Sequence, residues 1–435
     1  MPVTGIRRGW LLAFGLAAAG LLQGPAMGQD APSVVKIVQS EGRWQLLRNG
    51  KPYFIKGVNG SGRLDLLVQS GGNSIRAGGQ ALDRAQQLGL TVLAGLRMGN
   101  PRQGFDYNNA ELVAAQLESA RQTVLRYKDH PALLMWALGN EMEVFATPQQ
   151  RALVYKAVNE MAVAIKRIDP NHPVITVVGD NFRWMLREVN DLCPALDAVG
   201  LNAYVDMLTL PADVKRQGWT RPYVVTEFGP HGHWQVSKTA WDVPIEETSS
   251  EKAEFYIKAY RRAVAGQPQC LGSYAFLWGS KQEKTHTWYG MFLPDGSPTG
   301  AIDAMTYLWS GRWPANRSPV IGPGKIKLMY QDVEEVDLPD IPAGTRLLCE
   351  VDASDPEGGP LTIKWDLRKD VADNPSAGGD REEASPPIEG AVVSSEGKRA
   401  TIAPPLAPGH YRIFVYVYDS QGAAATANLP IRVRN

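Results

Sequence analysis

Cysteine is scarce in this chain. Cys193, Cys270 and Cys349 are an odd number, with neither CxxC nor metal-ligand spacing. That excludes a disulfide framework and a cysteine-built metal centre, and it predicts three buried, unreactive thiols. Net charge is missing as well: 45 Lys and Arg balance 45 Asp and Glu over 435 residues. No excess of positive charge is there to draw in nucleic acid or an anionic membrane surface. The glycine-rich turn Gly57-Val58-Asn59-Gly60-Ser61-Gly62 is not GxGxxG, so nothing marks a dinucleotide site. A nucleophile elbow with a Ser/His/Asp order is lacking, which argues against an esterase. His231 and His233 have no third clustered ligand nearby in the sequence, so neither metal nor cofactor is expected.

The apolar run Trp10–Leu22 falls short of the ~20 residues that a spanning helix needs. Behind Arg7-Arg8 and ahead of Ala26-Met27-Gly28 it reads instead as an export signal over residues 1–28. The mature protein is then expected in the periplasm or outside the cell, with no stable membrane span. Hydrophobic residues at 44% and charged residues at 21% describe an ordinary water-soluble core and surface.

From residue 34 to 312, β-branched apolar runs alternate with amphipathic helical stretches, the pattern of a parallel sheet with helices outside it. Eight strands are predicted: Tyr53–Val58, Asn73–Arg76, Thr91–Leu96, Leu133–Leu138, Val174–Val178, Ala198–Leu201, Tyr223–Thr226 and Ser273–Leu277. Thr147-Pro148-Gln149-Gln150 and Thr248 with Glu251 mark two helix starts as capping boxes. Eight strands in a segment of this length predict a (β/α)₈ barrel over residues 29–312. Residues 313–324 form a Pro/Gly-rich bridge, and from 325 to 435 the period changes from helical to two. Segments such as Tyr411-Ile413-Val415-Val417 predict a small immunoglobulin-like β-sandwich with Trp365 in its core. Asp352 and Asp355 read as turn carboxylates and Asp370–Pro387 as a polar loop. The bridge predicts that the barrel folds and works without the sandwich.

In such barrels reactive groups stand at the C-terminal ends of strands. Two uninterrupted apolar runs end there in carboxylates. Ala132–Leu138 leads into Gly139-Asn140-Glu141, and Pro222–Thr226 leads into Glu227-Phe228-Gly229. Cleaving a glycosidic bond takes one carboxylic acid to protonate the leaving oxygen and one carboxylate to attack the anomeric carbon. Twelve tryptophans suit a protein that stacks against sugar rings.

On these residues the chain resembles glycoside hydrolase clan A, over roughly residues 45–310. Asn140-Glu141 is similar to its acid/base motif after strand four, and Thr226-Glu227-Phe228-Gly229 to its nucleophile motif at strand seven. Lys56-Gly57-Val58-Asn59 and Asn73-Ser74-Ile75-Arg76 resemble strands one and two of family 2 barrels, and Asn59 joins the supporting set. The resemblance implies Glu141 as acid/base, Glu227 as nucleophile, and Asn140 as partner of the sugar 2-hydroxyl. It implies Arg76 beside Glu227 to keep its pKa low, Tyr204 as a hydrogen-bond partner of Glu227, and Trp278 as the floor of the subsite. His231, His233 and Trp288 are expected as sugar contacts or loop residues. Trp234, Trp241, Phe105 and Tyr107 are expected in catalytic-face loops, Asp180 and Asp206 as caps, and Glu143 as a loop or supporting charge.

Where family 2 carries histidines the chain has Ser61 and Ala77-Gly78-Gly79-Gln80, and its barrel is expected to begin almost at the mature N-terminus. Tyr53-Phe54-Ile55-Lys56-Gly57-Val58 resembles the opening strand of β-1,3-glucan transglycosidases. The expected substrate is therefore a β-linked oligo- or polysaccharide, a β-glucan first, in an open cleft, rather than a terminal galactoside or glucuronide. The competing reading is a catalytically silent carbohydrate-binding protein, against which two opposed glutamates speak.

Overall fold

A computed structural model describes Met1 and residues 31–179, 182–330, 333–335, 340–371 and 382–434. The segment expected to be an export signal, Asp180 and most of the polar loop from Asp370 lie outside the described residues. Eight parallel strands close into a barrel: β1 (Ile55–Asn59), β2 (Ser74–Ala77), β3 (Thr91–Leu96), β4 (Leu133–Leu138), β5 (Val174–Val178), β6 (Ala198–Asn202), β7 (Tyr223–Phe228) and β8 (Cys270–Ala275). The ring closes where Ser273 pairs with Lys56.

β4 shows why its run is apolar without alternation. Leu133, Trp136 and Leu138 pack outward under the helices, while Leu134, Met135 and Ala137 fill the barrel interior. A parallel strand covered on both faces has no polar side, and each such side chain contributes about 1.5–3 kcal/mol on burial. Both capping boxes form: Thr147 with Gln150 opens helix Pro148–Ile168, and Thr248 with Glu251 opens helix Ser249–Ala263.

The first strand starts later than expected because Tyr53 belongs to a three-stranded antiparallel sheet, Val35–Ser40, Arg43–Arg48 and Lys51–Tyr53. Its turns, Glu41-Gly42 and Asn49-Gly50, have positive φ at both residues, the geometry that matches strand twist in two-residue hairpins. Val35 and Leu46 plug the barrel end away from the strand C-termini, joining Ile55, Leu134 and Leu271.

Beyond helix Gly300–Ser310 the chain forms a five-stranded and a four-stranded sheet. Between them lie Leu347, Val351, Trp365, Ile413, Val415, Val417 and Ile431. The predicted bridge is shorter than 313–324, since strand Val320–Tyr330 begins inside it. Nor does it hang free: Trp313 stacks on Tyr307 at 4.6 Å, and the Ser318 N–H donates to Asp303 at 2.6 Å. Strand Gly409–Tyr418 is buried on both faces, because Phe414 and Tyr416 pack against Leu293 of the barrel. The barrel and the β-domain thus share a packed seam.

The three cysteines are buried and free, and burial pushes each thiol up to about 12. Asp355 accepts the N–H groups of Glu357 (2.7 Å) and Gly359 (3.2 Å), as a turn carboxylate does.

Candidate active site

The chain leaves β4 through Gly139 at φ +63° and Glu141 at φ +50°. A Cβ on Gly139 would lie 2.4 Å from Met142 Sδ, so any other residue would have to displace that side chain and take up a left-handed φ as well. Glu141 has no such excuse; a left-handed non-glycine residue costs on the order of 1–2 kcal/mol. Two bonds hold it there: its N–H donates to Val177 O at 3.0 Å, and its carbonyl accepts Asn100 Nδ2 at 3.2 Å. The strain turns the side chain over β5, where a Cβ on Gly179 would come within 3.1 Å of the Glu141 carboxyl carbon.

Glu227, near the end of β7, sits in a different setting. Arg76 from β2 donates through Nη1 to its Oε1 at 2.7 Å, and Tyr204 donates to its Oε2 at 3.3 Å. Arg76 also reaches Asn140 Oδ1 at 2.6 Å through Nη2, and Asn59 Oδ1 at 3.3 Å. Asn59 in turn donates to Thr226 O at 3.0 Å, so β1, β2 and β7 are stitched beneath the nucleophile candidate.

Asn202 ties Glu141 to Asn140 and to β7. Its Nδ2 donates to Glu141 Oε1 at 2.7 Å and Asn140 Oδ1 at 3.2 Å, while Thr226 holds its Oδ1 at 2.8 Å. Burial first, and then the charge of Glu227, push the Glu141 carboxyl above the usual carboxylate range; Asn202, Arg76 and Arg102 pull the other way. One carboxyl thus has an ion pair and the other has burial and a like charge, the asymmetry that separates an acid from a nucleophile.

Of the predicted residues, Glu141, Glu227, Arg76, Asn140, Tyr204 and Asn59 are brought together. Trp278 joins them only through its backbone, its N–H on Asn59 O at 2.9 Å. Its ring, three residues past the end of β8, is buried against Phe292 with the indole N–H on Gly62 O at 2.9 Å. Trp288 is buried too, donating to His231 O at 2.9 Å. His231 pairs with Glu247 at 2.9 Å and packs on Phe255, behind the wall rather than in the cleft. His233 lies between Trp234 and Trp288, 3.6 Å from Glu283. Tyr204 meets Trp234, Phe276 and Tyr289 edge-on at 5.6, 6.3 and 5.8 Å, and of these Trp234 is open to solvent. Tyr107 is buried with its hydroxyl on Gly99 O, Phe105 packs on it, Trp241 stacks on His410 of the sandwich, and Asp206 is buried.

Sequence reasoning passed over three residues. Asn202 stands two residues before Tyr204, and its position at the end of β6 was the available signal. Gly179 and Asn100 carry none without the fold. Glu143 is more than a loop charge: it is buried, accepts the Gly179 N–H at 2.7 Å, and burial pushes its carboxyl up to about 7.

Residues 76–239 match the family model described as glycosyl hydrolases family 2, TIM barrel domain. The chain is 25% identical over 223 residues to a β-glucuronidase of Felis catus, covering 42% of this chain and 32% of that protein. To a β-glucuronidase of Streptococcus agalactiae it is 23% identical over 275 residues, covering 52% and 44%. The chain therefore spans less than half the length of these curated relatives. Bacteroides uniformis β-glucuronidase 2, solved covalently bound to a cyclophellitol-6-carboxylate aziridine, superposes with TM-score 0.50 at 14% identity, over 92% of this chain and 48% of that one. That likeness carries the fold alone. None of these three is a glucan enzyme. Residues 76–239, from Arg76 through both glutamates, thus carry the pattern of the family 2 glycosyl hydrolase barrel.

Proposed function

We propose that this protein is a retaining β-glycosidase acting by double displacement. The observation that carries the reading is the opposed setting of the two carboxyls: Glu227 paired with Arg76 at 2.7 Å, Glu141 buried and raised. Glu227 attacks the anomeric carbon, and a sugar ester forms on it as the glycosidic C–O bond breaks. Glu141 gives its proton to the leaving oxygen. It then takes a proton from the incoming water or sugar hydroxyl, which displaces Glu227 and releases product with the β configuration. Asn140 has its Oδ1 committed to Arg76 and Asn202, so what it offers the sugar 2-hydroxyl is its N–H pair.

Two substrate classes rest on different observations. The resemblance of Tyr53–Val58 to glucan transglycosidases supports a β-glucan, with transfer to a second sugar as one outcome. The relatives' names support a β-uronide; Lys281, 5.8 Å from the Phe276 ring and paired with Glu283, is the cation on that side of the pocket. Export through residues 1–28 would place either activity outside the cytoplasm. Turnover of 4-nitrophenyl β-glucuronide, β-glucoside and β-galactoside against β-1,3-glucan oligosaccharides separates the classes, with Glu227→Gln as control. Proton NMR of the first product should show the β anomer. First release of the α anomer overturns the mechanism, and tight sugar binding without turnover would return the silent carbohydrate-binding reading.

A further inference from the structure

The wall beside Glu227 is built from the loop after β7, residues 229–247, and the loop after β8, residues 276–299. Trp234, Phe276 and Tyr289 come from these loops and close around Tyr204. Behind the wall lies a buried polar knot centred on Glu246. Its Oε1 accepts Lys252 Nζ at 2.5 Å and the Thr287 hydroxyl at 2.8 Å. Its Oε2 accepts the Thr285 hydroxyl at 2.6 Å and, from the sandwich, Asn428 Nδ2 at 2.6 Å. Arg412, also from the sandwich, donates to Asn428 Oδ1 at 2.7 Å, Pro244 O at 3.1 Å and Asp370 Oδ2 at 2.8 Å.

Glu246, Lys252, Arg412 and Asn428 are all buried, and the two carboxylates Glu246 and Asp370 balance the two cations. Buried charges persist only when paired and hydrogen-bonded, and removing one member leaves its partners unsatisfied. Both sandwich residues sit on strands whose alternate side chains, Ile413, Val415, Ala427 and Ile431, make the sandwich's own core. The sandwich core therefore holds one side of the knot rigid, and the loops carrying the wall are the other side.

We infer that the sandwich is a positioning element of the sugar pocket, with Asn428 and Arg412 holding residues 229–247 so that Trp234 and the Tyr204 cluster meet the sugar. This rests on the glycosidase reading. The knot touches neither glutamate, so its loss acts on sugar binding rather than on proton transfer.

The test compares the full-length protein with Asn428→Ala, Arg412→Lys and the control Asn316→Ala. Asn316 joins Asp419 and Gln421 at the barrel–sandwich seam without touching the loops. Hydrogen exchange of residues 231–247 should rise about tenfold in both knot variants, from the loss of one buried hydrogen bond, and stay unchanged in Asn316→Ala. KM on the preferred substrate should rise about tenfold with kcat within about threefold, and the alkaline limb of the pH profile should not move. Should Asn428→Ala fail to fold, Arg412→Lys, which keeps the charge, decides the matter. Unchanged exchange and KM in the knot variants, or an equal rise in Asn316→Ala, overturns the inference. If no glycoside is turned over, the glycosidase reading fails by itself while the exchange measurement still decides whether the sandwich holds the loop.

Discussion

The two sides of the cleft are made differently. On the nucleophile side, the loops after β7 and β8 pack Tyr204, Trp288 and Tyr289 into a cluster, backed by the Glu246 knot and the sandwich. On the acid side, Phe145 in the loop after β4 and Trp184 in the first turn of helix Phe182–Leu192 stand in solvent, 75% and 70% exposed. Arg151 ties that loop to this helix, donating to Ala146 O at 3.2 Å and pairing with Glu188 at 2.8 Å. On the proposed mechanism the sugar that would form the ester would meet the packed wall, and the leaving group would meet the more exposed aromatic side chains. Preorganisation is concentrated where the covalent bond would form, as transition-state binding requires.

The largest effect that would break this comparison is on turnover. Glu227→Ala should lower kcat on the order of 10⁴-fold, with azide attacking directly to give the α-glycosyl azide. Glu141→Ala should keep most of its ester formation when the leaving group is activated, and azide should then give the β-azide. Equal losses on good and poor leaving groups in Glu141→Ala would remove the asymmetry between the two sides.

The seam behind the nucleophile wall should be sensitive to acid. His286 hydrogen-bonds Tyr416 at 2.7 Å, and burial, followed by Arg368, lowers it from 6.5 to about 4. Asp366 and Glu246 oppose that shift, while Lys252 adds to it. The unfolded chain then binds the proton first, so the stability from neutral His286 is present above pH ~6.5 and lost as pH falls toward ~4. The loss should be on the order of 3 kcal/mol, read as a falling Tm that His286→Gln flattens; parallel curves would clear His286.

On the acid side, Asn202→Ala removes a bond that favours the Glu141 carboxylate. The carboxyl should rise further, and because the acid must be protonated the alkaline limb of kcat/KM should move up, by about one pH unit. A downward move would take Glu141 out of that limb.

The smallest effects sharpen the contrast between the aromatics. Trp234→Ala should raise KM about fivefold on any substrate, the worth of one aromatic face. Phe145→Ala and Trp184→Ala should leave nitrophenyl glycosides unchanged and weaken only substrates with a sugar leaving group, by about threefold. Equal effects of all three on both substrate types would show that the two sides bind alike.

Much of this was legible before the fold. All eight barrel strands read directly, because a strand covered on both faces has to be continuously apolar, and both glutamates stood where those runs stop. Asn49-Gly50 is a local hairpin signal, but nothing local says what the hairpin covers. The rings of Trp278 and Trp288 pack against protein, since residue type says only that a ring wants contact. The bridge is a similar case: proline and glycine mark a break in periodicity, whereas the seam is made by side chains far apart in sequence, such as Glu246 and Asn428.

By itself the sequence determined the barrel, the β-domain after it and the two carboxylates at strand ends, because burial periodicity and strand polarity are local properties of the chain. Only the tertiary structure decided that Arg76 meets Glu227, that Asn202 meets Glu141, and that Asn428 crosses the seam to hold the cleft wall. Those contacts depend on barrel closure and on how one sheet lies against another, and desolvation raises Glu141 only once that packing has shut the water out.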